Sequence, residues 1–318
     1  RRQRQMCIRD RTRGTLFNMA MHLRALLACL AFCTVVNAQE WTPERTAEVL
    51  VKDTKFGMRA VSPAIKHGNK ILEPLGKVSK DYSLLDNRNA FWISEVLGSI
   101  KTPECRKVLD GLFRRDKKTD RNRWPRLVGA VGLAVHGVYP EEVDEDSLLL
   151  RTARIGTTWA EDDFPPLKEK PFVDLAIVGL GKTQDESAIP VLIELLERRN
   201  LGYGAQEKAC VAIEEIGSSK GAAILRSCLA NEWFYANAAA FSALVALGDR
   251  RAVELGIRRI SPELSKWDQK DLVNKLTKVT GQEFGHDRER WLAWWRSVEK
   301  NWSIPKELVR RKDDPAAD

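Results

Sequence analysis

The stretch that decides the fold is residues 205–260, AQEKACVAIEEIGSSKGAAILRSCLANEWFYANAAAFSALVALGDRRAVELGIRRI. It holds two copies of one pattern: an apolar helix, an aliphatic residue followed by Gly, a short polar turn and a second apolar helix. In the first copy Ala205–Ile216 runs into Gly217, and in the second Asn237–Leu247 runs into Gly248. A helical hairpin of this size cannot bury its apolar faces alone, so neighbouring copies must stack.

The same pattern extends upstream. Phe172–Leu180 runs into Gly181 and is followed by Ser187–Arg198, and a more degenerate copy begins near Asn89. We expect Gly181, like Gly217 and Gly248, to form the turn of its hairpin. Because no strand-like alternation of useful length occurs, the sequence predicts an all-α chain, an α-solenoid of stacked helical hairpins. The glycines that follow the first helices are spaced 39, 44, 36 and 31 residues apart: Gly98, Gly137, Gly181, Gly217 and Gly248.

Two of these units resemble a known repeat family. The segments 247–253 (LGDRRAV) and 187–192 (SAIPVL) are similar to HEAT-like repeats of the subclass also seen in bilin lyases. That subclass favours a Leu-Gly-Asp turn, a Pro near the start of the second helix and an Ala-rich first helix. The resemblance is close over 172–262 and weaker over 89–156. It implies a HEAT/armadillo-like fold and leaves the activity open, since such repeats serve as scaffolds, enzyme subunits and lyase chaperones alike.

The net charge of +8 is concentrated at the front of the chain. Residues 1–38 hold seven of the 52 basic residues and one of the 44 acidic ones, which leaves 45 and 43, a net charge of +2, for residues 39–318. A nearly neutral body argues against a nucleic-acid partner, which would require a basic surface.

A secretory signal peptide is predicted at 19–38. A short basic segment precedes the apolar run Ala25–Val36, and Val36-Asn37-Ala38 supplies small residues for cleavage. The run is too short to span a bilayer comfortably. We therefore expect a periplasmic or secreted protein with no stable membrane span after signal removal. A buried N-terminal helix and a lipid anchor at Cys33 are the alternatives, although Phe32 stands where a lipoprotein signal needs a small residue.

The expected organisation of the chain follows from these assignments. Residues 1–18 lack an initiating Met and include QMCIRDR (5–11), which resembles a translated sequencing adapter. The predicted segments are a non-native extension at 1–18, the signal peptide at 19–38, an N-terminal helical region at 39–88, HEAT-like repeats at 89–262, Trp-rich capping helices at 263–304 and a disordered tail at 305–318.

The C-terminal segment carries the most distinctive local sequence. Residues 280–285 (TGQEFG) lead into His286 and Asp287 and then into a Trp-rich helix, an ending that resembles one found on bacterial exported HEAT-like proteins. The Trp spacing of i, i+3 and i+4 is that of an ordinary core stripe, so we expect a structural cap with Asp287 as its N-cap. The alternative is an aromatic platform with polar handles. The residues concerned are Trp291, Trp294 and Trp295 for the cap, and Gln282, His286 and Asp287 for the handles.

Three neighbouring aromatic residues between two repeats are the best candidates for exposed anchors of a partner. These are Trp233, Phe234 and Tyr235, which could equally belong to the core between repeats. For Cys210 and Cys228, which flank one hairpin turn, we expect two buried thiols, with a disulfide as the alternative.

No motif in the sequence indicates catalysis, a cofactor or a metal site. His-Glu pairs of the kind used by di-iron HEAT-like hydroxylases, zinc spacings, phosphate loops and nucleophile elbows do not occur. We therefore expect a bacterial envelope scaffold that binds a protein partner of unknown identity. An envelope enzyme or its accessory subunit, and a purely structural spacer, are the alternatives. The sequence does not indicate an oligomeric state.

Overall fold

A computed structural model describes residues 41–52, 57–86, 89–116, 123–158, 170–198, 201–231, 236–261 and 266–310. All regular structure in these ranges is helical, and none of these helices combines the length and apolar character needed to cross a membrane. The α-helices are α1 (Pro43–Lys52), α2 (Gly57–His67), α3 (Leu72–Val78), α4 (Ala90–Ser99), α5 (Pro103–Phe113), α6 (Arg123–Val135), α7 (Leu148–Arg154), α8 (Lys170–Thr183), α9 (Ile189–Leu196), α10 (Tyr203–Ile216), α11 (Ala222–Ala230), α12 (Asn237–Ala246), α13 (Arg251–Arg259), α14 (Lys266–Thr280) and α15 (Arg288–Val298).

Polar residues begin several of these helices. The Thr42 side chain accepts a hydrogen bond from the Arg45 amide, ahead of Pro43 at the first position of α1. Thr102 does the same for Cys105 at the start of α5, which also has Pro at its first position. Such caps satisfy amides that the helix itself leaves without partners.

The helices form two layers around one continuous hydrophobic core. First helices α4, α6, α8, α10, α12 and α14 make one layer, in which each packs against the next. Second helices α5, α7, α9, α11, α13 and α15 make the other. The predicted all-α solenoid of stacked hairpins is confirmed.

Glycine brings the first helices together. A Cβ added to Gly181 in α8 would lie 2.7 Å from Ala212 Cα in α10. Likewise, a Cβ on Gly179 would lie 2.9 Å from Val131 in α6, and one on Gly98 would lie 3.1 Å from Val135. A side chain at any of these positions would require its neighbour to move, so these glycines contribute to the close spacing of the layer.

The first-helix layer is the concave side of the stack. Lys208 Nζ in α10 lies 6.0 Å from the ring centroid of Phe91 in α4, although α6 and α8 lie between these helices. At the usual helix spacing of about 8–10 Å, three steps in a flat layer would span roughly 24–30 Å. Two side chains cannot bridge that distance, so the layer curves inwards and brings α4 and α10 towards each other.

Gly181 does not form the turn that the sequence predicts. It lies inside α8, which continues to Thr183, and the left-handed residue of this hairpin is Gln184, with φ of +54°. Gly217 and Gly248, at φ of +73° and +71°, do occupy left-handed turns as expected. An isolated Gly in a helical pattern fits either a turn or a close helix contact, and here the contact with α10 determines its place.

A ladder of polar contacts ties successive hairpins together on the side where first helices end and second helices begin, which we call the turn edge. Lys182 pairs with Glu215, 33 residues away, and Lys220 pairs with Glu186, 34 residues away. Lys101 donates to the Val135 carbonyl, again 34 residues away. Each contact spans one repeat, so the ladder fixes the register of neighbouring hairpins.

The folded structure extends further towards the C-terminus than the sequence predicts. Leu308 and Val309 pack against the core, and the Arg310 amide donates to the Ala246 carbonyl. The prediction of a disordered tail is therefore wrong for residues 305–310, because this apolar pair packs against the core and Arg310 connects the chain to the end of α12. Residues 311–318 lie outside the described residues.

We expect Gly181→Ala to lower the free energy of unfolding by about 1–3 kcal/mol, because the new methyl group must displace the backbone of α10. Urea unfolding followed by circular dichroism would measure this. Gly111→Ala in α5 is the matched control, since Gly111 is exposed and nothing lies within 4 Å of its added Cβ. That control should gain about 0.5–1 kcal/mol from helix propensity. Equal effects of the two substitutions would contradict the assigned role of Gly181.

Candidate partner-binding surface

The turn edge has a regular backbone structure. At three hairpins, a residue in the left-handed conformation follows the end of the first helix, and the side chain of the next residue accepts a hydrogen bond from the amide two positions on. Asp185 caps the amide of Ser187 in this way, Ser218 caps Lys220 and Asp249 caps Arg251. The starts of the second helices are therefore held in equivalent positions along the edge.

Two grooves open along this edge, each between the start of one second helix and the turn of the next hairpin. The first groove, of about 500 Å³, lies between α5 and the end of α6. The second groove, of about 390 Å³, lies between α11 and the turn from α12 to α13. The first is lined by Lys101, Thr102, Pro103, Arg106, Lys107, Asp110, Leu133 and Val138. The second is lined by Ser219, Ala222, Ala223, Arg226, Leu247, Gly248, Asp249, Arg250 and Arg251.

An ion pair crosses the second groove. Arg226 on α11 pairs with Asp249 in the turn, and Arg251 also donates to Asp249 at 3.2 Å. Burial by itself would raise the pKa of Asp249, but the hydrogen bonds from Arg251 and Arg226 outweigh it and hold the pKa below its usual value. The second groove therefore carries its own neutralising carboxylate.

The first groove is also cationic. Lys101, Arg106 and Lys107 are exposed on its wall, and the imidazole of His136 lies close to Lys101 and Arg106. Partial burial, followed by the neighbouring charges of Lys101 and Arg106, lowers the pKa of His136, although its ring faces the Leu97 carbonyl at 3.2 Å. The pKa of Lys101 is lowered by desolvation first and then by Lys182 and Arg106. The lining of the first groove thus holds three cations and one carboxylate, Asp110.

The polar handles predicted near the C-terminus do not form a pocket with either groove. Asp287 caps α15 by accepting from the Arg290 amide at 3.1 Å, which confirms its predicted structural role. His286 is exposed and Gln282 is half-buried, and neither lines one of the two grooves.

The tryptophans of α15 lie mainly inside. Trp291 and Trp295 are buried, whereas Trp294 is half-buried against the core. The Trp291 indole donates to the Gly285 carbonyl at 2.9 Å, and Trp302 packs edge-on against Trp295 at 5.5 Å between centroids. This arrangement favours the capping role over an exposed aromatic platform.

Two further sequence hypotheses concern a cluster of aromatic residues and a pair of cysteines. Trp233, Phe234 and Tyr235 lie outside the described residues, so their role as anchors stays a prediction. Cys210 and Cys228 are free and buried, in agreement with the expectation of two buried thiols. Burial raises the pKa of Cys228 to about 12 and that of Cys210 well above its usual value, so both remain protonated.

Sequence reasoning did not identify the grooves, because each one joins residues that lie more than 20 positions apart. A local signal marks one of them: an exposed pair of cations, Arg106 and Lys107, near the start of a second helix, where the second groove has Ala222 and Ala223. In the described part of the chain, no group of three or more His, Cys, Asp or Glu residues could hold a metal ion.

Comparison with known families supports the repeat assignment. The family model described as PBS lyase HEAT-like repeat matches residues 175–198, which span most of α8, the Gln184 turn and α9. No curated protein and no solved structure gives a significant match to the chain.

We expect Asp249→Asn to lower the free energy of unfolding by about 1–3 kcal/mol at pH 7, because it removes the charge that Arg226 and Arg251 hydrogen-bond across the second groove. Asp249 is only 11% exposed. Asp110→Asn is the matched control: Asp110 is 41% exposed and pairs with Arg114 on the same helix, so its loss should cost less than about 0.5 kcal/mol.

The pH dependence of this difference follows from the lowered pKa of Asp249. A carboxylate whose pKa is lower in the folded state stabilises the protein above its unfolded pKa of about 3.9, and loses that contribution as the pH falls through the folded value. The gap between the wild type and Asp249→Asn should therefore persist from pH 7 to pH 5 and shrink below about pH 4. A gap that grows on acidification would contradict the assignment.

Proposed function

We propose that this HEAT-like repeat protein is an exported scaffold that binds a protein partner in the bacterial envelope. The observation that supports this most directly is a pair of grooves in equivalent positions along one edge of a continuous helical stack. Two such recesses in register suit an extended partner that crosses several hairpins. Affinity would come from a few anchors seated in the grooves and not from the total contact area.

The charge distribution supports a protein partner over nucleic acid. Residues 39–318 carry a net charge of only +2, and the turn edge alternates cations with acids such as Glu186, Glu215 and Asp249. A phosphate backbone would require a continuous basic surface. An edge of mixed charge with grooves instead fits a polypeptide with its own pattern of charges.

The proposed compartment rests on the sequence of residues 19–38. The basic, apolar and small-residue segments follow the order of a secretory signal peptide. An envelope enzyme remains the alternative function, but the placement of Gln282, His286 and Asp287 outside both grooves favours the scaffold.

Site-specific photocrosslinking in cells tests the scaffold function. A photoreactive phenylalanine at Lys107 in the first groove, or at Ala223 in the second, should yield an adduct of one defined mass with a partner protein. The control position is Tyr203, which is 49% exposed at the far end of the roughly 20 Å long α10. Adducts from Tyr203 alone would move the interface to the opposite edge, and no adduct at any position would overturn the proposal.

A reporter fusion tests export. Residues 19–38 placed before a phosphatase that is active only outside the cytoplasm should give active enzyme. Leu27→Arg interrupts the apolar run with a charge and should abolish the activity, because the signal requires an uninterrupted apolar segment. Equal activity with and without this substitution would contradict a signal peptide.

A further inference from the structure

The two grooves occupy equivalent positions in the repeat, as the backbone of their turns shows. Gly137 and Gly248 are both left-handed, at φ of +70° and +71°. The amide after each glycine donates to a carbonyl five residues back: Val138 to Leu133 at 3.0 Å, and Asp249 to Leu244 at 2.9 Å. Val138 therefore stands in the first groove where Asp249 stands in the second.

The walls provided by the second helices match in the same register. Both walls use residues spaced i, i+3, i+4 and i+7. On this spacing, Asp110 takes the place of Arg226, and the cations Arg106 and Lys107 take the places of Ala222 and Ala223. The wall residues are Pro103, Arg106, Lys107 and Asp110 in the first groove and Ser219, Ala222, Ala223 and Arg226 in the second.

These exchanges remove the ion pair that closes the second groove. In the first groove the turn offers Val138 in place of a carboxylate, and Asp110 instead binds Arg114 at 2.8 Å along its own helix. The other nearby carboxylate, Glu104, accepts a hydrogen bond from Asn69 at 2.9 Å. Within the described residues, neither Arg106 nor Lys107 forms an ion pair.

The first groove thus holds two exposed cations, Arg106 and Lys107, that are not paired with a carboxylate within the described residues. Lys101 also lines it, but its ammonium donates to the Val135 carbonyl, and the Thr102 hydroxyl donates to Asn69. In the second groove a carboxylate accepts hydrogen bonds from two arginines, which shows the kind of contact that free cations on this edge can make. Charge-assisted bonds of this kind are among the strongest that an exposed groove can offer.

We propose that the first groove binds an acidic side chain of the protein partner through Arg106 and Lys107. This inference rests on the proposed scaffold function and names the chemistry of one anchor. The groove is one hairpin wide and holds a local cluster of cations on a nearly neutral body, so it suits a short acidic segment of polypeptide.

Fluorescence anisotropy with the 318-residue chain and a labelled hexaglutamate peptide tests the proposal. The wild type should bind this peptide at low ionic strength and release it as salt screens the charges. Val138→Asp, which supplies an internal carboxylate, and the double variant Arg106→Ala/Lys107→Ala should each weaken binding by about tenfold or more. Melting temperatures near that of the wild type would show that these variants fold.

Two controls separate the groove from general charge. The double variant Arg296→Ala/Lys300→Ala removes the same number of exposed cations from α15 and the residues after it, and should change the affinity by less than about twofold. A labelled hexaglutamine peptide should not bind. Equal binding by Val138→Asp and the wild type, equal binding of the two peptides, or no binding of hexaglutamate would overturn the proposal.

Competition distinguishes the source of the carboxylate. Free glutarate and inorganic phosphate should displace the peptide only at much higher concentrations, because a peptide presents several carboxylates to the groove at once. Displacement by glutarate at the same carboxylate concentration would overturn a protein segment in favour of a small acid.

The crosslinking experiment separates this proposal from the scaffold function. Loss of the partner adduct from Ala223 in a Val138→Asp chain is the expected result. An adduct of unchanged yield in that chain would overturn the acidic anchor and leave the scaffold function intact, whereas the absence of an adduct in the wild-type chain would overturn the scaffold function itself.

Discussion

The close approach of the first helices is the constraint on which the rest of the structure depends. Gly98, Gly179 and Gly181 allow α4, α6, α8 and α10 to pack closely, with the backbone of α10 against Gly181. The stack curves towards the first helices, so that Lys208 approaches Phe91 across two intervening helices. Curvature in a helical repeat protein is the sum of such small steps.

The turn edge converts this stacking into a surface with a defined pattern. Left-handed residues stand at the turns of Gln184, Gly217 and Gly248, and the capping side chains of Asp185, Ser218 and Asp249 orient the helix that follows. Ion pairs that span one repeat hold neighbouring edges in register. Residues at matching positions therefore face matching grooves, and a change of residue there alters the chemistry of a groove without altering its frame.

The C-terminal end closes the stack with aromatic side chains. Trp291 contacts Phe284 edge-on at 5.1 Å, Trp295 contacts Trp302 at 5.5 Å, and the chain then returns to α12 through Arg310. An end without a following repeat would leave the apolar faces of α12 and α13 exposed. Large rings cover that area with few residues, which explains the concentration of tryptophan in this segment.

The sequence by itself determined the repeated hairpin, the all-α class, the cap at Asp287 and the burial of Cys210 and Cys228, because each depends on residues close together in the chain. Only the tertiary structure decided the role of Gly181, which looks like a turn residue locally but serves a contact with Ala212. It also decided the order of residues 305–310 and the two grooves. Each of these results from packing between segments distant in sequence, and no local pattern specifies such contacts.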